Sequence, residues 1–204
     1  MLIVLTGIDG SGKTTAAHAL VSAALAEGRD ALLLSNYAGR RRMSLLSARF
    51  GVQLPPRLGD AVESTIRAVN VLASHARASR FRGLTVMDRH LHCQLALRQA
   101  RGLPRGRVLP LLLRMLRQPD LVIYLDVDPE RAHERIVARG TDEETLADLA
   151  SLRHAYRSLP EFTQFTVLDA DASHTDVLAE LARILAGAAV ADADADADAA
   201  SLKV

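Results

Sequence analysis

Gly7-Ile8-Asp9-Gly10-Ser11-Gly12-Lys13-Thr14 is the stretch whose reading decides the fold. Leu2-Ile3-Val4-Leu5-Thr6 precedes it, a short apolar run suited to a buried parallel strand. Thr15 through Leu25 follows, rich in Ala and Leu at helical spacing, and the pattern ends at Gly28. Strand, glycine turn and helix N-terminus form a cradle of backbone N–H groups for polyphosphate, reinforced by the helix dipole. Lys13 would reach the outer phosphates and the Thr14 hydroxyl would ligate Mg²⁺. The stretch therefore predicts a phosphate-binding P-loop that takes a nucleoside triphosphate.

The rest of the composition narrows the class. The 204 residues suit one domain with a substantial core. A net charge of +1 and an aromatic content of 3% without Trp give neither a basic field nor a stacking platform for nucleic acid. Cys93 is the single cysteine, which excludes an internal disulfide and fits a reducing, cytoplasmic location. The seven histidines show no metal-ligand spacing, so His18, His75, His133, His154 and His174 read as surface or packing residues. No apolar run approaches a membrane-spanning length, and the first strand begins where a signal peptide would lie. A soluble protein without membrane partners is expected.

Strand-like runs recur at 2–7, 30–35, 83–87, 120–126 and 164–168. Helical patterns lie between and after them at 13–27, 41–49, 58–80, 91–116, 128–138, 143–157 and 174–187. This alternation predicts an α/β fold, a parallel sheet with helices on both faces and ligands at the carboxyl ends of the strands. From 188 to 204 the chain passes into Ala-Asp alternation, read as a disordered tail beyond a 1–187 domain.

Two strands end in acids, Asp88 and Asp126. Either can hold Mg²⁺ near a P-loop, and Asp88 has the stronger case because Arg89 follows it, a cation placed for a transferring phosphoryl group. Further on, Asp128 before Pro129 reads as a helix N-cap with proline at the first helical position. Arg131, Arg135 and Arg139 then share one helical face, either a solvated stripe or part of a lid over the triphosphate spanning about 135–146. Thr141 is a candidate cap for the next helix.

These residues resemble the thymidylate kinase family of P-loop nucleoside monophosphate kinases over essentially residues 1–187. The carrying motifs are the loop from Gly7 through Thr15, Asp88-Arg89-His90, Leu125-Asp126-Val127-Asp128-Pro129-Glu130, Arg135 with Arg139-Gly140, and Tyr156. The resemblance implies a three-layer P-loop NTPase sandwich on a five-stranded parallel sheet, a homodimer, and Mg²⁺-assisted transfer of the ATP γ-phosphate to a deoxynucleoside monophosphate, foremost dTMP. It places ATP on Gly7, Asp9, Gly10, Ser11, Gly12, Lys13, Thr14 and Thr15 with Arg135, and metal on Thr14 and Asp88. It gives catalytic roles to Lys13, Asp9, Arg89, Arg135 and Arg139, with Arg89 on the acceptor phosphate.

The acceptor half departs from the family. Asn36, beside Tyr37, fills the slot of an arginine that grips the acceptor phosphate. Ile66 and Asn70 align with a base-stacking phenylalanine and an arginine one turn later. Cys93, Ala96, Leu97 and Arg98 stand where the family favours serine and then alanine-tyrosine-glutamine. On this alignment the acceptor site comprises Asn36, Tyr37, Ile66, Asn70, Arg89 and Arg98, with Arg40, Arg41, Arg42 or Arg67 as candidates to replace the missing charge. A nucleoside or small-alcohol kinase is the alternative. Deoxynucleoside kinases place a base carboxylate after the second strand, and no Asp or Glu occurs between Ala31 and Gly59. A nucleotide-dependent switch is the third reading, but the chain lacks an Asn-Lys-x-Asp guanine motif.

Overall fold

The computed structural model describes residues 1–37, 55–140 and 144–201. Five strands, β1 (Leu2–Thr6), β2 (Ala31–Ser35), β3 (Leu84–Asp88), β4 (Leu121–Asp126) and β5 (Thr166–Asp169), form one sheet in the order β2-β3-β1-β4-β5. Every pairing is parallel. Around the sheet lie α1 (Lys13–Ala26), α2 (Pro56–Ala78), α3 (Leu91–Ala100), α4 (Val108–Met115), α5 (Pro129–Arg139), α6 (Leu146–Arg157) and α7 (His174–Ser201), with a 3₁₀ turn at Pro160–Gln164. This is the P-loop NTPase architecture that the alternation of strands and helices predicts.

The central strand shows why both faces are covered. Ile3 and Leu5 point into one apolar cluster, Leu2 and Val4 into another on the opposite face, and all four are buried. This two-residue alternation with apolar residues at every position is the pattern of a strand buried on both sides. Register then gathers the chemistry at one edge. Leu5 pairs with Asp88, and Ser35 pairs with Asp88 from the other side. The loop after β1 therefore opens beside the last residue of β3.

Three segments differ from the sequence reading. The 91–116 pattern is broken into α3 and α4, because Gly102 and Gly106 take φ of 64° and 71° and Pro104 stands between them. Helix α6 begins after Thr145, whose hydroxyl accepts the Asp148 N–H at 3.1 Å, so Thr145 rather than Thr141 is its cap. Helix α7 runs to Ser201, through most of the segment expected to be a disordered tail. Alanine is the best helix former, and extending an existing helix needs no new nucleus. The expected helix at 41–49, the Arg40–Arg42 group and Thr141 lie outside the described residues.

Two glycines fix how closely the loop after β1 meets its surroundings. A Cβ on Gly7 would lie 2.6 Å from the Leu125 carbonyl oxygen at the end of β4. One on Gly10 would lie 2.4 Å from the Ala132 carbonyl oxygen in α5, and Gly10 also holds φ +81°. The loop is thus wedged between β4 and α5. Gly10→Ala forces the two backbones apart and should destabilise the fold by about 3 kcal/mol. Denaturant unfolding tests this, and an unchanged midpoint would show that the wedge is slack.

Candidate active site

Gly12, at φ 90°, is the N-cap of α1, and no side chain caps the first-turn N–H groups. A helix start without a side-chain acceptor is a ready anion site. Inside the loop the Lys13 ammonium donates to the Ile8 carbonyl at 2.5 Å and to Ser11 Oγ at 3.3 Å, and lies 3.7 Å from Asp9. Arg89 donates from Nη2 to Asp9 Oδ1. Burial would raise the Asp9 pKa, but the Arg89 and Lys13 charges, with the hydrogen bond from Arg89, hold it far below the carboxylate range. Burial and the nearby Arg89 charge lower Lys13 from its ordinary value, opposed by Asp9 and Asp88. Arg89 is raised because Asp9, Cys93 and Asp88 outweigh its desolvation.

Arg89 also carries backbone strain. Its φ is 76°, the single positive value among described non-glycine residues, and such a conformation costs roughly 1–3 kcal/mol. Three ties hold it: its N–H donates to the Leu5 carbonyl at 3.0 Å, its carbonyl accepts from Asn36 Nδ2 at 2.8 Å, and its guanidinium meets Asp9. These ties hold the strained backbone and aim the guanidinium at Asp9.

The metal residues can be tested on their own geometry. Thr14 Oγ1 donates to Asp88 Oδ2 at 2.7 Å, while Asp88 Oδ1 is buried with no hydrogen-bond partner among the described residues. A hydroxyl beside a carboxylate that keeps its other oxygen orphaned is a hard-oxygen set that fits Mg²⁺. Asp126 does not fit. Its carboxylate accepts from Arg153 Nε at 2.8 Å and Nη2 at 3.0 Å, and from Arg157 as well. It fastens α6 to the end of β4, and those guanidinium groups occupy both its oxygens.

The basic face of α5 is tied down too. Arg135 donates to the Gly10 carbonyl at 3.4 Å and the Ala170 carbonyl at 3.1 Å, Arg131 to the Asp171 carbonyl, and Arg139 is exposed. Arg135 thereby roofs a cavity of ≈ 220 Å³ that continues from Gly12 and Thr15 to Ala172, His174 and Val177. Ala172 and Val177 escaped the sequence reading and His174 read there as a surface or packing residue, because the three carry no motif and follow the short strand β5.

The acceptor-side residues need correction. Asn36 is buried and fully engaged: its side chain binds Arg89 O and Ser74 Oγ, its N–H donates to Asp88 O, and its carbonyl accepts from Arg67. It supports Arg89, and both polar atoms of its side chain are engaged within the fold. Asn70 donates to the Tyr37 carbonyl at 2.7 Å while Tyr37 is exposed, and Ile66 is half-buried. Arg98 bonds Asp60 and the Pro104 carbonyl. The buried cation of α2 is Arg67, with Nη1 3.0 Å from Asn36 O and Nε 3.2 Å from Gln94 Oε1. Burial raises the thiol pKa of Cys93, and the Arg67 and Arg89 charges bring it below its ordinary value.

Comparison with known proteins agrees with this architecture. The family model for thymidylate kinase matches residues 67–181. A probable thymidylate kinase of Thermococcus onnurineus is 29% identical over 197 residues, covering 88% of this chain and 96% of the relative. A thymidylate kinase of Xanthomonas oryzae pv. oryzae is 31% identical over 201 residues, covering 94% and 85%. A deoxyadenosine kinase of Dictyostelium discoideum is 30% identical over 177 residues, covering 79% and 66%. A P-loop sheet with an aspartate–arginine pair closing its third strand defines a nucleotide-handling P-loop protein. Within that class, this chain belongs to the thymidylate kinase family.

Two consequences are measurable. Asp126→Asn should cost about 1–2 kcal/mol, discounted because Arg157 is half exposed, and leave the Mg²⁺ requirement of nucleotide binding unchanged. A shifted Mg²⁺ requirement would make Asp126 a ligand after all. Burial also lowers His75 and His90, and holds His92 at about 4, so all three are neutral in the fold. The unfolded chain binds more protons below about pH 6.5, so this stability is whole above that value and fades as pH falls towards 4. Thermal midpoints should therefore drop between about pH 6.5 and 4.5, before the carboxylates titrate. A flat profile would contradict the buried neutral row.

Proposed function

We infer that this protein is a nucleoside monophosphate kinase that transfers the γ-phosphate of ATP to dTMP, giving ADP and dTDP. The observation that carries the reading is the convergence of Lys13, the Thr14–Asp88 pair and the Asp9–Arg89 pair at one sheet edge, in a chain whose relatives are mostly named thymidylate kinases. ATP would lie along the loop from Gly7 to Thr15, its base in the cavity under Arg135. Mg²⁺ would sit on Thr14 and Asp88, where it compensates charge on the phosphates.

The protein's own residues then have defined tasks. Lys13 exchanges the Ile8 carbonyl for outer phosphate oxygens, a good trade for a buried ammonium. Arg89, oriented by Asp9, takes the acceptor phosphate and aligns one of its oxygens with the γ-phosphorus. That oxygen forms the new bond as the bond to the β-phosphate oxygen breaks, and ADP leaves. A phosphate oxygen is already a nucleophile, so alignment and charge compensation suffice without a strong base. Arg135 and Arg139 would add charge from the lid side. Leu58, Val69 and Leu72 are exposed on α2, and their spacing along one face supports a homodimer joined there. Among the described residues no helix is long and apolar enough to cross a membrane.

Incubation with Mg-ATP and a panel of nucleotides and nucleosides tests the assignment. ADP release that requires dTMP is expected, and Lys13→Ala should lower turnover by several orders of magnitude. Release with thymidine or deoxyadenosine but not with dTMP would make this a nucleoside kinase instead.

A further inference from the structure

Helix α2 buries a stripe of polar residues that the phosphate chemistry does not use. Asp60, Glu63, Arg67 and Ser74 are each at most 6% exposed and recur at helical spacing on the face turned to α3. Opposite stands Gln94, fully buried. Its Nε2 donates to Asp60 Oδ1 at 3.2 Å and its Oε1 accepts from Arg67 Nε at 3.2 Å. The other Asp60 oxygen accepts from Arg98.

The chemistry of the neighbours permits one orientation of this amide. A carboxylate can only accept and a guanidinium can only donate, so Gln94 must turn its NH₂ to Asp60 and its oxygen to Arg67. A second run leaves Arg67 inward. Arg67 donates to the Asn36 carbonyl, Asn36 donates to the Arg89 carbonyl, and Ser74 donates to Asn36 Oδ1. The far end is the residue held at positive φ whose guanidinium meets Asp9. Arg67 thus donates in two directions, outward through Gln94 to Asp60 and inward through Asn36 to Arg89, and the two runs link the α2–α3 interface to Arg89.

We propose that Asp60 and Gln94 are positioning residues for the acceptor site: they orient Arg67, which through Asn36 holds the strained Arg89 in place. This rests on the reading of Arg89 as the acceptor-phosphate ligand. The aspartate and amide do what a direct arginine–phosphate contact at position 36 cannot do here. Asn36 spends its side chain on Arg89 itself, and Asp60 and Gln94 set its carbonyl partner.

The donor–acceptor order of the outward run from Arg67 through Gln94 to Asp60 supplies the test. In Asp60→Asn the oxygen stays with Arg98 and the new NH₂ faces Gln94. Gln94 must then flip and set its own NH₂ against Arg67. In Gln94→Glu a carboxylate faces Asp60. In the double variant D60N/Q94E, the new carboxylate on α3 accepts both from the new amide on α2 and from Arg67. Every donor regains an acceptor, and net charge equals that of the wild type. Steady-state kinetics should show each single variant losing at least ten-fold in kcat/KM for dTMP, with KM for ATP moved less than two-fold. The double variant should return to within about three-fold of wild type. A merely structural role would lower the folded fraction and affect both substrates alike.

Single variants with wild-type kcat/KM for dTMP would overturn the proposal, as would a double variant no better than the worse single one. Should D60N fail to fold, Ser74→Ala takes its place, because it removes the other bond on the Asn36 side chain. Loss confined to dTMP supports the proposal, and an unmoved kcat/KM for dTMP overturns it. Arg89→Ala run alongside separates the two levels. If it leaves dTMP kinetics intact, the role of Arg89 fails; if it abolishes them while D60N and Q94E do nothing, only the positioning chain fails.

Discussion

Two cations converge on Asp9, and everything at this sheet edge is arranged around their charge. Lys13 is buried, Arg89 is half-buried, and Asp9 stands between them. Isolated charges in such surroundings are expensive, and Asp9 and Asp88 together compensate Lys13 and Arg89. Phosphate oxygens entering from the donor and acceptor sides would take over contacts that Ile8 O, Ser11 and Asp9 now make.

The fold holds these charges in place from three directions. The register of β1 against β3 sets the loop beside Asp88, and the wedge of Gly10 against Ala132 fixes the loop's height relative to α5. The positive φ of Arg89 turns its side chain back to Asp9, which regular strand geometry would not permit. Tyr156, buried in α6, closes the floor, where its hydroxyl meets Thr6 Oγ1 at 3.1 Å next to Cys93. Small displacements in any of these supports move a charged group, and phosphoryl transfer is sensitive to alignment at that scale.

The phosphate loop, the alternation of strands and helices and the Asp88-Arg89 pair were legible in the sequence because each rests on local order: a glycine spacing, a period, two adjacent residues. The acceptor side was not. Whether Asn36 faces a ligand or Arg89 depends on α2, which arrives from a distant part of the chain. The alignment chose Ile66 and Asn70, whereas the helix buries Asp60, Glu63, Arg67 and Ser74. That stripe was present in the sequence as polar residues at intervals of three, four and seven. It reads as a solvent face unless Gln94, Arg98 and Arg101 are known to lie opposite. The split of 91–116 into two helices was signalled by Gly102, Pro104 and Gly106, and the apolar periodicity masked it.

The fate of one phosphorus atom decides whether this protein transfers phosphate to dTMP. Phosphorus NMR of the protein with Mg-ATP and dTMP follows it without coupling enzymes. The γ-phosphate signal of ATP should fall as the terminal phosphate signal of dTDP rises one for one, with ADP appearing in step. Loss of the γ-signal into inorganic phosphate alone, or its persistence with dTMP unchanged, would contradict the account.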